Sequence, residues 1–196
     1  MAETYLRVLG IDPGSRFMGY GVVEDRRGQP VHVGHGLIKV DPDAPLEERL
    51  KVLHAELLGA LKVYKPQAVA VEGVFTFRNA RSALILGHAR GVALLAAAQV
   101  GLSVHEYAPS KVKRSVGAGG SADKDAVARM VCTFLGLEEL ERSDVSDALA
   151  IALCHLNHGR AAVPVMASKV SKARRKSAQE QLADKLTPSY RRPEAG

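Results

Sequence analysis

The sequence predicts an α/β fold built on a mixed five-stranded sheet, with strands one to three antiparallel, strands four and five parallel, and helices on its flanks. Three short apolar runs near the start are joined by polar turns, the pattern of consecutive antiparallel strands. Leu46, Leu50, Leu53, Leu57 and Leu61 then recur at helical spacing and form one apolar stripe. Just past Pro66, Ala68-Val69-Ala70-Val71 is a continuous apolar run suited to a strand buried on both faces, so the chain crosses over by a helix and adds a parallel strand.

Each element follows from its residues. Residues 5–11 read as a buried strand that ends on Asp12; Pro13 forbids further pairing, and Gly14 permits the sharp turn. The Asp12 carboxylate is thereby placed at the open end of a central strand. Residues 17–24 and 31–40 give the second and third strands, separated by a polar turn at 25–29. The leucine-striped helix packs on the sheet and stops at Pro66, and the fourth strand terminates in Glu72. Residues 80–100 form a long helix rich in Gly87, Ala89, Gly91, Ala93 and Ala96 to Ala98, small side chains that let another helix come close. Residues 102–107 are the fifth strand, and Pro109 opens a short helix carrying Lys111, Lys113 and Arg114. Gly117-Ala118-Gly119-Gly120 predicts a mobile loop, Ser121 a helix N-cap for residues 121–135, and residues 144–156 the last core helix. Periodicity ends after Pro164. Residues 1–165 are expected to be one domain and 166–196 a basic, flexible tail.

Charge divides the chain unevenly. The full sequence of 196 residues carries 27 Lys and Arg against 21 Asp and Glu, yet residues 168–196 alone hold 8 against 3. Residues 65–129 hold 9 against 4. A polyanion that meets both regions explains the asymmetry. No apolar run is long enough to span a bilayer, and the first residues lack the basic-then-apolar pattern of a secretion signal. A cytoplasmic location is expected. Cys132 and Cys154, 22 residues apart with no second pair, suit reduced core thiols.

An Asp before Pro-Gly is ordinary turn chemistry when it stands alone. Here Glu72 ends the strand that should lie beside it, and Asp144 and Asp147, three residues apart, share one face of a helix start. Asp in a first turn also suits the helix dipole. Together, four acids from two strand ends and one helix make an oxygen-only donor set, which suits Mg²⁺ or Mn²⁺. Two such ions about 3.5–4 Å apart support in-line hydrolysis of a phosphodiester.

Several segments in order resemble the RuvC-type Holliday junction resolvases of the ribonuclease-H-like superfamily: Gly10-Ile11-Asp12-Pro13-Gly14-Ser15-Arg16 with Gly19-Tyr20-Gly21; Glu72-Gly73-Val74-Phe75; Asn79 to Leu84 with Gly87-His88-Ala89-Arg90-Gly91; and Asp144-Val145-Ser146-Asp147-Ala148-Leu149-Ala150. The resemblance covers about residues 5–158. It implies that Asp12, Glu72, Asp144 and Asp147 are catalytic metal ligands, although some relatives carry His at the place of Asp144. It also implies a ribonuclease-H-like fold, a homodimer, four-way junction DNA as substrate, a RuvA–RuvB-like branch-migration motor as partner, a preference among cleavage sequences, and a wedge role for Phe75. The tail has no matching motif.

Further DNA contacts are expected from Phe75 and Phe77, whose rings stack on unpaired bases, and from Arg78 and Arg81 beside them. Lys111, Lys113, Arg114 and Lys124 flank the glycine loop and are expected to hold backbone phosphates, with Lys113 and Lys124 matching basic positions of the family. His155, two helical turns beyond Asp147, is expected to be structural or to support the acids from behind rather than to hold the cation itself. The expected activity is paired, symmetric, metal-dependent cutting of a four-way junction in homologous recombination and DNA repair. The alternatives are a non-catalytic junction-binding protein of the same fold and a general ribonuclease-H-like nuclease. An actin-like kinase also begins with an Asp-x-Gly turn, but it needs a second similar half for which this chain has no room.

Overall fold

The first apolar run folds as β1 (Leu6–Asp12), antiparallel to β2 (Phe17–Arg26), which pairs with β3 (Gln29–Lys39). This is a computed structural model, and it describes residues 5–73, 80–119, 123–140 and 142–161. After β3 come α1 (Leu46–Tyr64), β4 (Ala68–Glu72), α2 (Ala80–Gln99), β5 (Ser103–Tyr107), α3 (Pro109–Ser115), α4 (Lys124–Leu135) and α5 (Ser143–Ala161). The sheet order is β3-β2-β1-β4-β5, with β4 parallel to both β1 and β5. The mixed five-stranded sheet is thus the one expected, and β1 lies at its centre.

Strand alternation sorts the core into two layers. Leu9 and Ile11 of β1, Met18 and Val22 of β2, and Val69 and Val71 of β4 pack with Leu53, Leu57 and Leu61 of α1 and with Ala89, Ala93, Ala96 and Ala97 of α2. Val8, Val23 and Ala70 face the opposite layer, made by α5 with α3 and α4. All four residues from Ala68 to Val71 are buried, as a strand covered on both sides requires. The α1 stripe also behaves as expected. Its helix ends one residue before Pro66, at Lys65 in the left-handed conformation, whose N–H reaches back to the Leu61 carbonyl.

Two local expectations change. The N-cap of α4 is Asp123, whose carboxylate accepts from the Ala126 N–H at 2.7 Å. The predicted cap, Ser121, lies outside the described residues, and the helix starts three residues later because Asp123 is as good a cap and stands where it can reach Ala126. Within the glycine loop, Ala118 is buried in the core and the Gly117 N–H donates to the Arg114 carbonyl at 3.1 Å. This part of the loop is anchored by apolar contact, which its glycine content conceals.

The small residues of α2 separate by face. The alanines pack inward toward α1, whereas Gly87 and Gly91 look onto open space beside exposed Leu84 and Leu95. Cys132 and Cys154 are both free thiols, and burial raises the pKa of each. Among the described residues no helix is long and apolar enough to cross a membrane.

Candidate active site

Asp12 and Glu72 are the last residues of adjacent parallel strands. Ile11 pairs with Val71, so the two acids leave the sheet at the same level. Alternation turns both toward the α5 layer, because Gly10 two residues before Asp12 faces α5 and Ala70 two residues before Glu72 belongs to that core. The turn after Asp12 is tied down on several sides. Gly14 lies so close to the Phe17 carbonyl that a Cβ would overlap it, the Arg16 carbonyl accepts from Val40 N–H at 3.1 Å, and the Arg49 guanidinium of α1 donates to the Ser15 carbonyl. After Glu72, the Gly73 N–H donates to the Tyr107 carbonyl at 2.8 Å.

The other two acids reach the site because α5 crosses β1 and β2 at backbone contact. A Cβ on Gly10 would overlap the Ala148 carbonyl, one on Gly19 the Asp144 carbonyl, and one on Gly21 the Leu149 side chain. In the sequence these glycines stand beside the first acid without an evident role. The signal was present: all three sit on one face of two neighbouring strands, where bare backbone admits a helix. Ser146 is buried under the first turn of α5 and its hydroxyl donates to the Ser143 carbonyl at 2.9 Å.

Asp12, Glu72 and Asp147 line one cavity of about 150 Å³ together with Lys113 and Lys124, and with Pro109, Val112, Val127 and Ile151 as apolar walls. The walls and the like charges act in the same direction. Burial, then Asp147, Glu72 and Asp144, push Asp12 up to about 7, against a pull downward from Lys124. Burial also raises the pKa of Glu72, with Asp147 adding to it, and raises that of Asp147 against its partner Lys124. Lys124 Nζ stands 3.5 Å from Asp147 Oδ2, and that contact raises its own pKa. Asp144 is set outside this cavity, one turn earlier on α5, where it pairs with Arg142 at 3.0 Å.

The donor set fits a hard divalent cation in its chemistry: it is all oxygen, crowded enough to hold a proton on Asp12 near neutrality, and walled from water on one side. Among the described residues no three Asp, Glu, His or Cys side chains stand close enough to enclose an ion as they lie. Two of the four acids are instead engaged with Lys124 and Arg142.

The remaining predicted positions scatter. Lys113 and Lys124 face the acids, but Lys111 turns away, its Nζ 2.9 Å from His158 Nε2 and above the Tyr107 ring. Arg114 is exposed on α3 and does not line the cavity. Phe75, Phe77 and Arg78 lie outside the described residues, as does the side chain of Arg81. His155 is buried, accepts or donates at Nδ1 with the Tyr107 hydroxyl at 2.8 Å, and packs on His105. Burial and the neighbouring histidines push its pKa down to about 4, so it is a neutral packing residue, in keeping with its expected structural role.

Comparison with known proteins places this architecture. Residues 8–155 match the model of the family described as crossover junction endodeoxyribonuclease RuvC. A protein of that name from Myxococcus xanthus is 70% identical over 192 residues, spanning 97% of this chain and 100% of its own. One from Gluconacetobacter diazotrophicus is 47% identical over 162 residues, spanning 83% of this chain and 96% of its own. The solved structure of Thermus thermophilus RuvC in complex with Holliday junction substrate superimposes with a TM-score of 0.72 at 38% identity, covering 80% of this chain and 96% of that one. The chain belongs to the RuvC family of crossover junction endodeoxyribonucleases.

Proposed function

We propose that this protein resolves four-way DNA junctions by hydrolysing one phosphodiester in each of two symmetric strands, in homologous recombination and DNA repair. The observation that carries the reading is the meeting of Asp12, Glu72 and Asp147 in one cavity with Lys113 and Lys124, three acids from three separate elements facing two cations. Asp144 completes the set from the rim. These four acids are the catalytic and metal-holding residues, and Mg²⁺ or Mn²⁺, two ions per site, is the cofactor their oxygens suit. Bound there, the ions would supply charge neutralisation at the phosphate and a nucleophilic water.

The protein's own residues do the rest. Burial and the neighbouring carboxylates favour a proton on Asp12, whose pKa they push up to about 7, and Asp12 loses that proton as a cation binds among the acids. Lys113 and Lys124 hold phosphate oxygens beside the acids, and the apolar walls keep the site dry, which strengthens every charge interaction within it. In the reaction the water oxygen bonds to phosphorus and the bond to the 3′ oxygen breaks, leaving a 5′-phosphate and a 3′-hydroxyl. Phe75 and Phe77 stack on bases opened at the crossover, with Arg78, Arg81, Lys111 and Arg114 on backbone phosphates.

Matched cuts need two such sites, which a two-fold homodimer supplies. Its interface is the outward face of α2, where Gly87 and Gly91 lie between exposed Leu84 and Leu95. A RuvA–RuvB-like motor, a cytoplasmic location and a nuclease domain of residues 1–165 with a DNA-contacting tail at 166–196 complete the proposal. The test is competition between a labelled four-way junction and a linear duplex of the same sequence, with Mg²⁺ or Mn²⁺. Preferential cutting of the junction is expected, and equal cutting of both would identify a general nuclease instead.

A further inference from the structure

Neither Arg142 nor Phe17 belongs to a motif of the sequence, yet the fold brings both to the helix that carries Asp144 and Asp147. The Arg142 guanidinium lies over the Phe17 ring, 3.9 Å from its centroid, and both its Nε and Nη2 reach Asp144 Oδ2 at 3.0 Å. Phe17 opens β2, two residues before Gly19, where the backbone of Asp144 presses on the sheet. Ring and carboxylate are therefore held on elements that are in backbone contact, and the guanidinium is clamped between them. A stacked arginine is a better clamp than a free one, because its plane is fixed before it pairs.

We infer that Arg142, stacked on Phe17, is a built-in counter-ion of Asp144, a positioning residue that holds this carboxylate in the cation-free protein and is displaced when Asp144 joins Asp12, Glu72 and Asp147 around a divalent ion. The inference rests on reading the four acids as a cation site. Three observations support it. Asp144 is the acid that lies outside the shared cavity, and its oxygen is turned to Arg142. No three acids among the described residues close on an ion while Arg142 and Lys124 are engaged. Arg142 also lines a second cavity of about 550 Å³ between α4 and α5, with Lys124, Arg129, Ser143 and Ser146, so a released guanidinium has room beside the site. Lys124 differs, because it lines both cavities and faces Asp12 and Glu72 as well as Asp147. Among the described residues Arg142 pairs with Asp144 and lies outside the cavity that holds the other three acids, so it tunes the ion that Asp144 holds.

The experiment is calorimetric titration of Mn²⁺ into the full chain without DNA, with bound ions counted by electron paramagnetic resonance. Asp144→Asn marks the ion in question by weakening it. Arg142→Gln is expected to tighten that same ion by roughly three- to tenfold, the scale of one partly exposed ion pair with a stacked ring. Phe17→Leu, which changes no charge, is expected to tighten it about twofold by unclamping the guanidinium. Arg129→Gln removes a charge from the same cavity without touching Asp144 and is the control, with less than a twofold effect expected. Unchanged or weaker binding in Arg142→Gln, or an effect no larger than in Arg129→Gln, overturns the inference. Failure of the wild-type chain to bind Mn²⁺, or binding indifferent to Asp12→Asn, overturns the cation-site reading itself; Mn²⁺ binding that needs Asp12 but ignores Arg142 sinks only the counter-ion.

Discussion

Gly19 of β2 stands opposite Asp12 of β1 in the sheet register, and the Asp144 carbonyl fills the space a Cβ on Gly19 would need. One absent methyl group thus sets how near the acids of α5 come to the acids of the strands. Gly19→Ala is expected to push the first turn of α5 off the sheet, costing about 1–3 kcal/mol of stability by overpacking and more than about tenfold in cleavage rate. Gly59→Ala on α1, where nothing lies within 4 Å, is the contrast and is expected to gain about 0.5–1 kcal/mol from helix propensity. Denaturant melts and junction-cutting rates of both variants check the pair.

Crowding of the acids has a pH signature in the cation-free protein. The pKa of Asp12 is raised from 3.8 to about 7 in the fold, so the folded state holds this proton more tightly than the unfolded one. Its contribution to stability is therefore full below about pH 4 and is lost as pH rises through about 7. Glu72 and Asp147 shift in the same direction. Asp12→Asn cannot ionise and is expected to exceed the wild type in stability at pH 8, by about 1–3 kcal/mol in chelator, while differing little at about pH 4. Urea melts at the two pH values decide this, and an Asn variant less stable at pH 8 would contradict it.

The outward face of α2 predicts assembly. Leu84 is 62% and Leu95 53% exposed, on the side of the helix opposite the buried alanines. Leu95→Asp is expected to convert a dimer to monomers at micromolar concentration by light scattering, without altering the monomer's melting, and to leave junctions nicked on one strand. A wild-type chain already monomeric at that concentration, or a variant that stays dimeric, counts against this face.

Residues 168–196 carry 8 Lys and Arg against 3 Asp and Glu. Their deletion is expected to weaken junction binding and flatten its salt dependence, since each phosphate contact contributes about 0.9 to the slope of log affinity against log salt. Binding isotherms between low and moderate salt measure it, and an unchanged slope would remove the tail from the DNA interface.

The sheet was legible because its signals are local. Pro13 and Gly14 stop β1, Pro66 marks the end of α1, and the run from Ala68 to Val71 can only be a buried strand. Asp12 and Glu72 followed from strand adjacency. The pairing of Arg142 with Asp144 over Phe17 was not legible, and the bare face of Gly10, Gly19 and Gly21 marks room for a helix without saying which one, because each depends on where a helix lies against strands more than a hundred residues earlier. The raised pKa values were hidden for the same reason, since the walls Val112, Val127 and Ile151 come from three different helices. Ser121 and the glycine loop mislead because cap and turn preferences are shared by neighbours; the hydrogen bond to Ala126 selects Asp123 as the cap, and packing buries Ala118.

The central claim is that Asp12 serves chemistry rather than the turn it precedes. Asp12→Asn, confirmed as folded by its melting curve, is incubated with a labelled synthetic four-way junction and Mg²⁺ or Mn²⁺ while binding is followed in parallel. Cutting is expected to vanish and binding to persist, because the change removes a cation ligand and leaves Lys113, Lys124 and the rest of the basic surface in place. Cutting at the wild-type rate, or loss of binding together with cutting, would contradict the account.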